Sequence, residues 1–160
     1  MLKLKDLLSQ TKSHRPVLVS NSSAVGVSFS PISYGKDARG YHKTIKGTAL
    51  TNKPGKKTKK FEIRMYYDPK KNFIPNYKNL RPKDYKGPQN APPFTVESLA
   101  WVSCSCEYFL YHCEVADTRE DASSVKYSNG AKPKVTNPRM IPHICKHLIA
   151  AVRKGALVKK

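Results

Sequence analysis

Trp101-Val102-Ser103-Cys104-Ser105-Cys106 and, after 38 intervening residues, Cys145-Lys146-His147-Leu148-Ile149-Ala150 decide how this chain folds. The first segment closes an apolar run with two thiols one residue apart; the second opens an apolar helical pattern with a thiol and an imidazole at the same spacing. Zinc takes four soft or borderline donors in a tetrahedron, and thiolate sulfur with imidazole nitrogen meets that demand. A Cys-x-Cys leaving a strand turns two sulfurs toward one point, and a Cys-x-His in the first turn of a helix offers two more donors. The reading is Zn2+ held by Cys104, Cys106, Cys145 and His147, with strand, knuckle and helix pinned at one centre. Three thiolates and a neutral imidazole fill the coordination sphere and leave no place for a catalytic water, so the site is expected to be structural. Zinc in small sites of this kind contributes about 10–16 kcal/mol at neutral pH, as much as the whole stability of a typical domain.

Two residues compete for the site. Cys113 is an alternative fourth thiol, although its spacing with Phe109 and Ala116 suits a buried helix face, where a free cysteine packs as a small hydrophobe. His143 stands two residues before Cys145, but Pro142 places it ahead of the helix. Catalysis is not expected: Cys113 and His112 are neighbours in sequence, so they do not face each other on a helix. His14, His42 and His112 have no sequence partners and receive no role. The carboxylates Glu107, Glu114, Asp117, Glu120 and Asp121 are spaced as a solvated helix face or as a docking surface for the protein's own lysines.

Outward from the two motifs, the pattern predicts a strand from about Thr95 to Cys104, a helix from Glu107 to Arg119, an irregular segment from Asp121 to Pro142, and a helix from Ile144 to Lys154 ended by Gly155. Further upstream, residues 1–10 read as a short amphipathic helix with Leu4, Leu7 and Leu8 on one face, too short to stand alone. Residues 11–40 are rich in Ser, Gly and Pro, with a β-leaning run at Val25, Val27 and Phe29, and helix is not expected there. Tyr41 to Asp68 reads as a β-hairpin: Phe61, Ile63, Met65 and Tyr67 alternate with Glu62, Arg64 and Tyr66, and a weaker first strand from Lys43 to Leu50 carries Gly47. Six prolines between 69 and 93 forbid long regular structure and mark an arm or linker. The expected fold is α+β, a small antiparallel sheet with a C-terminal zinc-anchored helix and long irregular basic loops. It divides into an N-terminal helix and basic hairpin (1–68), the Pro/Lys/Tyr-rich arm (69–94) and a zinc-binding region (95–160) with an insertion at 107–142.

The paired motifs, Cys-x-Cys after an aromatic strand and Cys-x-His opening an apolar helix, resemble the SWIM zinc finger. That resemblance covers roughly residues 95–154 and implies a ββα zinc module, with Cys104, Cys106, Cys145 and His147 as ligands and binding of DNA or proteins as its business. The 38 residues between Cys106 and Cys145 are long for such a finger. The block also looks like small SWIM-type proteins of tailed bacteriophages, through Tyr108-Phe109-Leu110-Tyr111-His112-Cys113-Glu114 and Tyr127-Ser128-Asn129-Gly130.

Charge points to the partner. The 160 residues carry a formal +19, and the positive excess is uneven: 20 Lys and Arg against 6 acids over residues 1–106, and 8 against none over 132–160. Nucleic acid or an acidic protein surface fits such a chain. The best phosphate contacts are Lys53, Lys56, Lys57, Lys59 and Lys60 in the hairpin loop, with Lys70, Lys71, Lys78, Arg81, Lys83 and Lys86 along the arm. Tyr66, Tyr67, Tyr77 and Tyr85 interleave with them and could stack on bases or pack on a protein. Lysine-rich surfaces bind without sequence preference and weaken steeply with salt. The leading expectation is therefore a non-enzymatic zinc-binding accessory protein that contacts nucleic acid. The alternative is a structural protein of a virion or other large assembly, its arms wrapping neighbouring subunits; a regulator of a polymerase ranks third. No small-molecule substrate is expected. Nothing resembles a signal peptide, and no stretch approaches the length needed to cross a bilayer, so a reducing intracellular compartment is expected, host cytoplasm or virion if the protein is viral.

Overall fold

Alternation of apolar and polar side chains, with a glycine where three strands meet, builds a sheet whose edge strand carries the first motif, while the second opens a helix packed against the sheet. The computed structural model describes residues 2–29, 33–37, 40–51, 55, 57–67 and 95–156, so the 69–94 arm lies outside the described residues. Among the described residues there are five strands: β1 (Val25–Phe29), β2 (Ser33–Asp37), β3 (Gly40–Thr51), β4 (Lys59–Tyr67) and β5 (Trp101–Cys104). All pairings are antiparallel and the sheet is four strands wide, because β1 and β2 follow one another along the same edge of β3. The expected hairpin is there, with Thr51 opposite Lys59 and Ile45 opposite Met65, and its first strand is longer than the sequence pattern indicates. Gly47 sits between Phe29 and Ile63; a Cβ there would lie 2.9 Å from the Ser28 carbonyl oxygen and 2.9 Å from Ile63 Cδ1. The residue that weakens the strand signal is thus what lets three strands close up.

The third expected strand is shorter than the Thr95–Cys104 run. Only Trp101–Cys104 joins the sheet, with Met65 opposite Val102 and Ile63 opposite Cys104. Thr95 to Ser98 form a turn instead, because their hydroxyls capture local amides: Thr95 N donates to Ser98 Oγ and Glu97 N to Thr95 Oγ1. The outer edge of β5 is covered by the chain returning from the helix after it, where Val102 N donates to Ala122 O at 2.9 Å and Ser123 Oγ donates to Val102 O. Trp101 lies on the face away from Val102, stacked on Tyr66 at 5.2 Å, with its Nε1 donating to Asp121 Oδ1.

The described residues form four α-helices beside the sheet: α1 (Leu4–His14), α2 (Pro16–Asn21), α3 (Glu114–Arg119) and α4 (Lys146–Ala151). The helix expected at the start of the chain does dock, with Leu4 and Leu7 fully buried. The exclusion of helix from residues 11–40 is corrected. The first helix runs on to His14 because Thr11 Oγ1 donates back to Leu7 O and accepts from Ile144 N at 3.0 Å. Pro16 then starts a second helix from its first position, where a missing N–H costs nothing. The helix expected over 107–119 forms with a π-turn, Phe109–Cys113, ahead of α3. The last helix begins two residues later than Ile144, with Cys145 as its extended N-cap, and passes through Gly155 in a π-turn, Val152–Ala156.

Leu4, Leu7, Ile45, Ile63, Met65, Phe109, Ile144, Leu148 and Ile149 belong to one apolar core, drawn from both sides of the arm. Backbone hydrogen bonds from Leu4 N to Ser98 O and Lys5 N to Val96 O tie the same two regions together. No described helix is long and apolar enough to cross a membrane.

Candidate metal centre

A strand, a knuckle and a helix deliver one donor cluster. Cys104 ends β5 and is held to β4 by the pairing with Ile63. Ser105 makes the knuckle: its N donates to Glu62 O at 3.0 Å, and its Oγ accepts from Glu62 N at 2.9 Å. That two-way clasp turns Cys106 back beside Cys104. Cys145 stands at the extended N-cap of α4 (φ −77°, ψ 165°), and His147 falls in the first turn. The Sγ atoms of Cys104, Cys106 and Cys145 and a ring nitrogen of His147 all lie within 4.8 Å of one another, and all four residues are buried. Cys104 Sγ and His147 Nδ1 are 3.8 Å apart. Donors on a tetrahedron around zinc-sized bonds are separated by roughly 3.5–3.8 Å, so this set fits a single metal ion with small adjustment.

The surroundings orient the donors. His147 Nε2 lies 2.9 Å from Thr51 Oγ1 while Nδ1 faces the sulfurs, so with Nδ1 on a metal the protonated Nε2 would donate to the threonine. The Phe61 ring packs on the imidazole at 4.5 Å between centroids. Phe109 N donates to Cys106 Sγ at 3.3 Å, which stabilises negative charge on that sulfur. As thiols the three cysteines share protons unequally. Hydrogen bonds from Cys104 and then Cys145 hold Cys106 well below the ordinary thiol value. Cys104 is raised, chiefly through that bond with Cys106, and Cys145 is raised chiefly by burial. A cation at the centre would replace those protons, since metal ligands are thiolates.

The competitors are placed elsewhere. Cys113 is fully buried in the core, where burial pushes its thiol up. His143 donates from Nδ1 to Ile141 O at 2.8 Å and accepts at Nε2 from Tyr108 OH at 3.2 Å. Both nitrogens are therefore used, and burial lowers its affinity for a second proton.

The acidic segment is the solvated face its spacing indicates only in part: Glu107, Glu120 and Asp121 are exposed. Glu114 and Asp117 are both 0% exposed. The Glu114 carboxylate accepts from Tyr127 N and Ser128 N, fastening the turn-rich segment onto α3. Asp117 Oδ1 accepts from His143 N at 2.9 Å, fastening the stretch before α4, while Oδ2 is buried without a hydrogen-bond partner. Burial raises the Asp117 carboxyl well above its ordinary value. These two acids organise the chain between the ligand pairs, a role invisible to charge counting.

Of the lysines expected to meet phosphate, Lys57, Lys59 and Lys60 are exposed. Lys53, Lys56, Lys70, Lys71, Lys78, Arg81, Lys83 and Lys86 lie outside the described residues, as do Tyr77 and Tyr85. Lys57 and Lys59 line a cleft of about 380 Å³ beside the donor cluster, together with Lys146, Thr51, Phe61, Tyr108 and His147. Sequence reasoning missed Lys146, Thr51, Ser105 and Tyr108 as parts of this region. For Lys146 and Ser105 a signal exists, since each is the residue enclosed by a ligand pair.

Comparison with known proteins finds no matching family model, no matching curated protein and no matching solved structure.

Proposed function

We propose that this protein is a non-enzymatic, zinc-anchored accessory module of SWIM type that binds nucleic acid through its basic surface. The observation that carries the reading is the buried cluster of three thiols and one imidazole, with lysines on the cleft next to it. A Cys3His donor set selects Zn2+ among the common divalent ions and leaves it no open position, so the metal supplies stability rather than chemistry. Cys104, Cys106, Cys145 and His147 would hold it, with Thr51 and the Phe109 amide orienting the donors. A net charge of +19 supplies affinity for a polyanion. Ligand thiols must stay reduced, which suits an intracellular reducing compartment.

Elemental analysis of purified protein is expected to return one zinc per chain. Labelled DNA or RNA is expected to bind at low salt and to be released as salt rises, with a linear log–log dependence. Absence of any binding at low salt refutes the nucleic-acid reading.

A second reading, a structural subunit of a virion or other assembly, draws on a different surface. Leu110, Tyr111, Val115, Pro133 and Val135 line a shallow hollow, and Tyr111 and Val135 are 59% and 90% exposed. Co-purification with a protein complex that survives both nuclease and high salt favours this role.

A further inference from the structure

We infer that the cleft beside the donor cluster is a one-nucleotide pocket for single-stranded nucleic acid, with an unpaired base lodged against Phe61 and Tyr108 and the flanking phosphates held by Lys57, Lys59 and Lys146. The inference rests on the proposed nucleic-acid function and specifies where and in what form the strand binds.

Three features of the cleft carry it. Its volume of about 380 Å³ lies in the range of sites that enclose a small organic group, and is far too small for a duplex. Two aromatic rings contribute to its lining, both half-buried and both backed by a histidine: Phe61 packs on His147, and Tyr108 stacks on His112 at 4.0 Å with ring planes 2° apart. Tyr108 is fixed further by its hydroxyl, which donates to His143 Nε2. Rings so braced form a platform that does not have to be ordered on binding. Every base has a π face, so such a platform accepts any sequence.

The charge is placed around that platform. Lys57 and Lys59 come from the start of the β4 side of the hairpin, and Lys146 from the first turn of α4, so ammonium groups flank the aromatic lining from two elements. Glu107 is the acid in the lining against three lysines, and with the zinc-loaded Cys3His centre at −1 the cleft keeps a positive excess of one, while Glu107 offers an acceptor to an exocyclic amine. An acidic protein would use the lysines but not the rings, and a base inside a duplex is stacked out of reach. The combination of rings and cations selects an unpaired nucleotide.

The test uses the full-length zinc-loaded protein and fluorescein-labelled oligothymidylate of about twelve nucleotides, with the same strand in a duplex as comparison. Anisotropy titrations at several salt concentrations are expected to show tighter binding of the single strand. Lys57→Glu with Lys59→Glu is expected to weaken it at least tenfold and to flatten the salt slope by about two. Lys132→Glu with Lys134→Glu, an equal charge change on exposed residues outside the cleft lining, is expected to cost far less. Phe61→Leu, which keeps an apolar side chain over His147, is expected to weaken the single strand about tenfold while leaving the salt slope unchanged. Photocrosslinking from a thiothymidine strand is expected to mark Phe61 or Tyr108.

If wild-type protein binds neither strand, the proposed function falls and this inference with it. If it binds but the two lysine pairs weaken it equally, or the duplex binds as tightly, or Phe61→Leu has no effect, the pocket is refuted while nucleic-acid binding stands. Equal competition by polyglutamate would refute the pocket in the same way.

Discussion

Thr51 Oγ1 lies 2.9 Å from His147 Nε2, so the last residue of β3 sets which imidazole nitrogen faces the three sulfurs. Partners of this kind fix the tautomer of a ligand histidine, and their loss typically lowers metal affinity 10–100-fold. Thr51→Val keeps the shape and removes the acceptor. Competition with a chromophoric chelator is expected to show zinc affinity reduced by about tenfold or more, with Thr51→Ser close to wild type. Equal affinity in all three proteins would remove Thr51 from the centre.

Ligand and core cysteines separate by stoichiometry. Cys145→Ser is expected to abolish stable zinc binding, whereas Cys113→Ala is expected to keep one zinc per chain and lose only packing, about 1–2 kcal/mol in urea unfolding. Chelation of the wild-type protein is expected to expose the amides of β5 and α4 to hydrogen exchange, and added zinc to protect them again. Loss of zinc from Cys113→Ala would reinstate that thiol as a ligand.

Asp117 makes a pH prediction with a definite sign. Burial raises its carboxyl above the unfolded value of 3.8, and the amide of His143 opposes that shift only in part. Its contribution to stability is therefore fully present below the unfolded value and declines as pH rises through the raised folded value. Asp117→Asn keeps the acceptor for His143 N and cannot ionise. Its stability relative to wild type is expected to improve steadily from about pH 4 upward, until the wild-type carboxyl has fully ionised. Parallel urea unfolding curves across pH 4–8 check this, and a constant difference over that range would show that the folded carboxyl is not raised.

Gly47 and Gly26 form a matched pair of strand glycines. A methyl group at Gly47 would meet the Ser28 carbonyl oxygen at 2.9 Å, whereas at Gly26 it would make an ordinary contact with Leu50 at 3.7 Å. Gly47→Ala is expected to cost about 1–3 kcal/mol by overpacking, and Gly26→Ala less than about 0.5 kcal/mol. Thermal unfolding of the two variants decides it; similar melting temperatures would mean that β1 and β3 can move apart.

What could be read from the residues was what local spacing encodes. Alternation from Phe61 to Tyr66 announces β4, and two pairs of donors at one-residue spacing announce the cluster, because each pattern is complete within a few positions. The rest depends on partners far along the chain. Thr11 sits in a helix whose last turns hold Ser9, Ser13 and His14, residues of middling helix propensity, and it is retained there by the amide of Ile144. Glu114 and Asp117 have the spacing of a solvated face, but the segment from 121 to 143 folds over them and supplies amides at the carboxylates. Thr51 has no local sign of its task, since His147 reaches it only after β3 and α4 have come together. β1 and β2 have weak patterns of their own and take their places from the long third strand that templates both.

The hydrogen bond from Ile144 N to Thr11 Oγ1 joins positions 133 residues apart. At a synthesis rate of roughly 5–20 residues per second, α1 leaves the ribosome several seconds or more before its anchor has been made. Over part of that interval Cys104 and Cys106 are also out while Cys145 and His147 are still to come, so the nascent chain presents a lone pair of thiols open to oxidants and to thiophilic metals.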